Sequence, residues 1–207
     1  LQTLINDYWF LSEDILDSDI YYPLEGYMYP DTYRFASKSV SIDTIFRKLL
    51  TQMDKVLEPE KDNIKNNKYS LHEILTFASV AELEVRRPED RKNVISVFMN
   101  RYEKKIQLGS DITTRYSLKV PANQVLSSDQ YNTINAYNTR SSTMAGKLPA
   151  GPIATISKDT IYAAINPVNT GYLYFISNIQ TGETFFFENY NGFVNKKNEL
   201  AKVNGGY

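Results

Sequence analysis

The sequence predicts an α+β fold in which a helical hairpin packs on a small antiparallel sheet, and three observations carry that prediction. Ser70 with Glu73 three residues on is a capping-box pattern, and Leu71, Ile74, Leu75, Ala78 and Ala81 follow at helical spacing. Arg86, Arg87 and Pro88 interrupt that pattern, and a second helical stretch with Val94, Val97, Phe98 and Arg101 facing the first runs to about Tyr102. The aromatic runs 172–177 and 183–187 flank a glycine-containing connection, which is a β-hairpin signal.

The other elements follow in chain order. Residues 1–22 end in the acidic SEDILDSDI and read as a connector or the tail of a preceding module, and the opening LQTLINDYWF, without an initiator Met, reads as the start of an excised fragment. Residues 24–35, LEGYMYPDTYRF, set turns at Gly26 and Pro30–Asp31 between short aromatic strand pieces. In 41–57, Ile42, Ile45, Phe46, Leu49, Leu50, Met53 and Val56 predict a surface helix with one face inward. Residues 61–68, KDNIKNNK, form the most basic patch and read as a solvated loop; 107–147 reads as loop and short helix. KLPAGPIA at 147–154 is a Pro/Gly turn before a helix over 158–165 that stops at Asn166–Pro167, and 191–203 predicts a terminal helix. There is no internal repeat.

Composition bounds the function. The chain has 207 residues, 42% hydrophobic and 23% charged, enough to bury one core and ordinary for a soluble globular domain. A net charge of −1 with scattered Lys and Arg gives no basic surface for nucleic acid. Without cysteine there is no disulfide, thiolate metal site or thiol nucleophile. The longest strongly apolar run, 74–81, is eight residues, against the ~18 needed to span a bilayer. Sixteen Tyr and ten Phe suit strands and sugar-stacking surfaces alike.

The stretch FASVAELEVRRPEDRKNV, 77–94, places Glu82 and Glu84 two positions apart at the end of an apolar helix. At 100° per residue from Leu71, Glu82 falls at about 20°, among Leu75 and Ala78, and Glu84 at about 220°, between Phe77 and Val80. A carboxyl buried in such surroundings loses hydration, its pKa rises, and it can serve as a general acid, the role glycoside cleavage most often asks of one. The competing expectation is that both glutamates pair with Arg86 and Arg87 as the helix emerges into solvent. Spacing does not choose between Glu82 and Glu84. His72, the only histidine, has no HExxH, GxSxG or carboxylate-rich loop beside it, and no metal or cofactor is expected.

The blocks EGYMYPDTYRF (25–35), ASVAELEV (78–85), VISVFMNRYEKKIQLGSD (94–111), AYNT (136–139), LPAGPIA (148–154), AAINPVNTGYLYF (163–175) and GETF (182–185) occur in the order and spacing of the endolytic murein transglycosylases, so the chain resembles that family, also called YceG-like. The resemblance covers about residues 23–200 and implies a YceG-like catalytic domain over 23–207, with 1–22 as the tail of a LysM-like module. It implies that the second Glu of the ASVAELE block, Glu84, is catalytic and Glu82 a supporting carboxylate. The implied reaction cleaves the MurNAc–GlcNAc β-1,4 bond of peptidoglycan without water: the Glu protonates the leaving oxygen, then takes a proton from the C6 hydroxyl as a 1,6-anhydro ring closes.

Asp111 sits where the family has a Gln-Thr-Asp run, which implies a residue that lines the glycan cleft or orients a neighbor, with an Asx turn as the competing expectation, and Ile112–Thr113–Thr114 departs from the family's usual Pro-Thr continuation. Tyr137, Asn138 and Thr139, which by themselves read as a structural turn, become expected substrate-site residues through the resemblance, Gly151 a shaped turn beside the cleft, and Glu25, Tyr29, Asp31 and Tyr33 either a second cleft wall or a turn supporting aromatic core. Val85 stands where the family usually has Thr or Ser after the catalytic Glu, so that hydroxyl must be lost or supplied elsewhere. Glu183 stands where members often carry a His. By resemblance the protein is anchored by an N-terminal membrane helix outside this chain and faces outside the cytoplasm, with peptidoglycan synthases and division or elongation proteins as partners. The alternatives are a non-catalytic peptidoglycan-binding or scaffold domain, and a muramidase, which would need a second carboxylate near Glu84.

Overall fold

The computed structural model describes residues 1–204, so the last three residues of the predicted 23–207 segment lie outside the described residues. Nine helices and one hairpin are formed among them: α1 (Gln2–Asp7), α2 (Ile42–Leu57), α3 (Lys61–Lys65), α4 (Leu71–Glu84), α5 (Arg91–Glu103), α6 (Asp111–Leu118), α7 (Ser128–Asn132), α8 (Lys158–Ile165), β1 (Tyr174–Ser177), β2 (Thr184–Phe187) and α9 (Tyr190–Asn204). The architecture is α+β, mostly helical, with one two-stranded antiparallel sheet.

The center of the fold is α4. Ser70 Oγ accepts from the Glu73 amide and the Glu73 carboxylate accepts from the Ser70 amide, so both ends of the capping box are made. Every residue from Ile74 to Ala81 is buried, as expected of a helix enclosed on all sides. It packs against α5 and α8, which also contact each other. Pro88 begins a single 3₁₀ turn, Pro88–Asp90, and α5 starts after it at Arg91.

In the sheet, Tyr174 pairs with Phe187, Phe175 with Phe186, Ile176 with Phe185 and Ser177 with Thr184. α9 lies against both strands and α5 touches β1, so the hairpin is clamped between two helices. A two-stranded sheet alone is marginal, and this covering supplies the burial it needs.

Three segments differ from expectation. Residues 24–35 form turns and extended chain rather than strand pieces: Gly26 takes φ +80° and Tyr27 turns its ring into the core, so no ladder forms. Residues 61–68 are not simply loop, because a 3₁₀ turn at Glu58–Glu60 runs directly into α3 and buries Ile64. The segment 1–22, read as a connector or the tail of a preceding module, packs Leu4, Phe10, Leu11 and Ile15 into the same core.

Candidate active site

The last residue of α4, Glu84, opens on a cavity of about 460 Å³. Its lining includes Phe98 and Arg101 of α5, Tyr174 and Phe175 of β1, and Tyr190 and Phe193 of α9. The segment 106–109, Asp111 and Arg140 complete the lining.

Glu84 Oε2 accepts a hydrogen bond from Ser110 Oγ at 2.9 Å. Burial pushes its carboxyl pKa up from 4.5 to about 7; Asp111 pushes the same way, and the Ser110 hydrogen bond, Arg101 and Arg140 pull against it. Such a group exchanges its proton near neutral pH. Val85 is buried and carries no hydroxyl, so Ser110, from a separate loop, supplies the hydroxyl contact that position 85 lacks.

Ser110 is itself held firmly. Its amide donates to Thr139 Oγ1 (3.0 Å), its carbonyl accepts from Thr113 Oγ1 (2.8 Å), and the Thr113 and Thr139 hydroxyls meet at 2.7 Å. Asn138 accepts from Thr114 Oγ1 (2.6 Å) and donates to the carbonyls of Gln130, Tyr131 and Thr133. Tyr137, Asn138 and Thr139 are fully buried. None of the three is among the residues lining the cavity; Asn138 and Thr139 tie the 133–141 segment to α6.

Glu82 points elsewhere. Its Oε1 pairs with Arg91 at 2.9 Å, both side chains only about 15% exposed, and its Oε2 accepts from the Ser157 hydroxyl (2.8 Å) and amide (3.2 Å). Glu82 thus links α4, α5 and the N-terminus of α8. The expected pairing with Arg86 and Arg87 does not form, because those guanidinia donate to the carbonyls of Ile179 and Thr181 in the hairpin turn.

Asp111 begins α6 and does face the cavity. Its carboxylate is shared between Arg140 Nη1 (2.8 Å) and Tyr131 Oη (3.2 Å), and Arg140 also lies over the Tyr131 ring. Glu25 accepts from Tyr116 Oη, the Tyr29 carbonyl accepts from Tyr33 Oη, and Gly151 lies against the His72 ring. None of these three lines the cavity that holds Glu84. His72 accepts from Tyr27 Oη at Nδ1 and donates from Nε2 to the Ala150 carbonyl, both at 2.8 Å, so both ring nitrogens are used by the core.

Sequence reasoning placed Arg101 on the face toward α4 without giving it a role, and passed over Ser110, Arg140, Tyr190 and Phe193. Arg101 and Ser110 fall inside quoted blocks, yet an Arg on a helix and a Ser in a loop carry no pattern of their own.

The family model for the YceG-like family matches residues 4–199. The chain belongs to the YceG-like family. It is 36% identical to the endolytic murein transglycosylase of Bacillus subtilis (strain 168), over 85% of this chain and 48% of that protein. It is 34% identical to the endolytic murein transglycosylase of Streptococcus pneumoniae serotype 2 (strain D39), over 84% of this chain and 32% of that protein. The chain therefore spans about half of one of these YceG-like relatives and a third of the other. The crystal structure of a yceG-like protein from Listeria monocytogenes superposes with a TM-score of 0.86 at 31% identity, over 95% of this chain and 63% of that one. The clamped hairpin and central α4 are thus set in a YceG-like fold.

Proposed function

We propose that this chain is a catalytic domain that cleaves peptidoglycan strands between MurNAc and GlcNAc as a lytic transglycosylase, with Glu84 as its acid and base. The observation that carries this reading is a single protonatable carboxyl at the cavity wall whose neighboring carboxylate, Asp111, is engaged by Arg140 and Tyr131. Hydrolysis by the usual two-carboxylate routes needs a second carboxylate to activate water or attack the sugar. Intramolecular attack needs only one.

In the proposed reaction the Glu84 carboxyl donates its proton to the glycosidic oxygen as the C1–O bond breaks and GlcNAc leaves with a free 4-hydroxyl. The C6 hydroxyl oxygen of the same MurNAc bonds to C1, and its proton passes to the Glu84 carboxylate, which restores the acid. Ser110 holds Oε2 and stabilizes the carboxylate between the two transfers. The names of the curated relatives support the same chemistry. This reading puts the substrate outside the cytoplasm, with a membrane anchor and contacts to synthases or division and elongation proteins belonging to parts beyond this chain. Among the described residues no helix is long and apolar enough to cross a membrane.

The test is mass spectrometry of products from purified strands with the unaltered chain, Glu84→Gln and Glu82→Gln. Anhydro-MurNAc ends are expected, reduced by about 10²- to 10⁴-fold in Glu84→Gln and still formed by folded Glu82→Gln. Reducing MurNAc ends would instead make the chain a muramidase, and tight strand binding without any product would make it a binding domain.

A further inference from the structure

Arg101 stands in the cavity without a carboxylate of its own. Its Nε donates to the Leu173 carbonyl at 2.6 Å, its Nη1 to the Leu108 carbonyl at 2.7 Å, and its guanidinium lies over the Tyr174 ring at 5.4 Å. None of the ion pairs among the described residues includes it. Arg140, on the same cavity, is neutralized by Asp111. The third nitrogen of Arg101, Nη2, donates to no protein acceptor among the described residues and is not closed off from solvent.

Two features make this arrangement a recognition device. An arginine cannot shed its proton in a protein, so its partial desolvation, which Glu84 offsets only when that carboxyl is ionized, is a standing cost, and burial does pull the Arg101 pKa downward. Two carbonyls and a ring face fix the fork in place, so little side-chain entropy remains to be lost when Nη2 meets an acceptor. With Glu84 in the acid form that the first proton transfer needs, the four charged side chains of the cavity carry one uncompensated positive charge. A bound anion would balance it.

We infer that Arg101 is a specificity residue that receives a carboxylate of the bound saccharide through Nη2. The inference rests on the transglycosylase reading for a saccharide in this cavity. The carboxylate has two sources: the lactyl group of a denuded muramic residue, or the peptide attached to it. Arg140 differs in having Asp111 paired with its Nη1, so its charge already has a counter-ion.

The experiment uses Glu84→Gln protein, which binds without cleaving, and calorimetry with four ligands. These are a GlcNAc–MurNAc tetrasaccharide with free lactyl carboxylates, its methylamide, the tetrasaccharide bearing stem peptides, and that compound with its peptide carboxylates blocked as methylamides. Blocking is expected to weaken binding about tenfold or more, the range of a charge-assisted hydrogen bond, and the arm in which it does so identifies the source. Adding Arg101→Gln should erase the difference, and Arg101→Lys should keep part of it. Equal affinity for free and blocked ligands in both arms overturns the inference and makes Arg101 a reader of neutral acceptors, while leaving the transglycosylase reading intact. Binding of none of the four overturns both. The ligand comparison needs no change at Arg101, so a variant that fails to fold does not obscure the answer.

Discussion

Two glutamates on one helix meet different fates because their partners come from different places. Glu82 is answered by a cation and two donors, which fix three helices together. Glu84 receives one hydroxyl and otherwise loses water, so its neutral form gains. The Ser110 hydrogen bond favors the carboxylate, so Ser110→Ala is expected to raise the Glu84 pKa further and move the alkaline limb of the pH–activity profile upward. The amplitude should fall at the same time, since the carboxylate left after the first proton transfer loses a contact worth about 1 kcal/mol. A limb that stays in place while activity drops would mean Ser110 acts only through the fold. Helical angles alone showed that both glutamates face apolar neighbors. They could not separate them, because Ser110 lies 26 residues and Ser157 75 residues away in sequence. Tyr137, Asn138 and Thr139, expected at the substrate, are buried and absent from the lining of the Glu84 cavity, and the hydroxyls that engage Asn138 and Thr139 come from α6, likewise distant in sequence.

At the scale of elements, legibility followed locality. The cap of α4 and its apolar faces are written within fifteen residues, as is the proline break before α5, and each was readable. Residues 24–35 were not, because their aromatic content mimics strand propensity while their conformation is set by contacts elsewhere: Tyr27 on His72, and Gly26 against Pro152. A Cβ at Gly26 would lie 2.3 Å from Pro152 Cβ, and φ there is +80°. Gly26→Ala is therefore expected to cost about 2–5 kcal/mol, combining the left-handed backbone penalty with overpacking against a rigid ring. Adding Pro152→Gly should return the steric part and leave the backbone part, which a double-mutant cycle in urea would resolve. An additive cycle would show that the two blocks do not press on each other. Glu82→Gln is the matching test for the helical layer. It leaves Arg91 without its carboxylate and should cost about 3 kcal/mol in the same measurement, with Gln still able to accept from Ser157.

The whole molecule pays for its candidate acid in stability, and the sign of that cost is fixed by linkage. Glu84 has a pKa of about 7 when folded against 4.5 as a free side chain. Between those values the folded protein holds a proton that the unfolded chain has released, so stability is complete below about pH 4.5 and declines as pH rises through 7. Above that window the ionized carboxylate costs the fold up to about 3 kcal/mol. Gln cannot ionize and still offers Ser110 an oxygen. The stability of Glu84→Gln relative to the unaltered chain should therefore rise from near zero at pH 4 to about 3 kcal/mol at pH 8, read from urea unfolding at each pH. The cavity responsible is assembled from α4, α5, the hairpin and α9, whose contributions to it are separated by up to about a hundred residues of chain, which is why no local pattern announced it. A pH-independent offset between the two proteins would show that those walls do not desolvate Glu84, and would remove the physical basis for its acting as an acid near neutral pH.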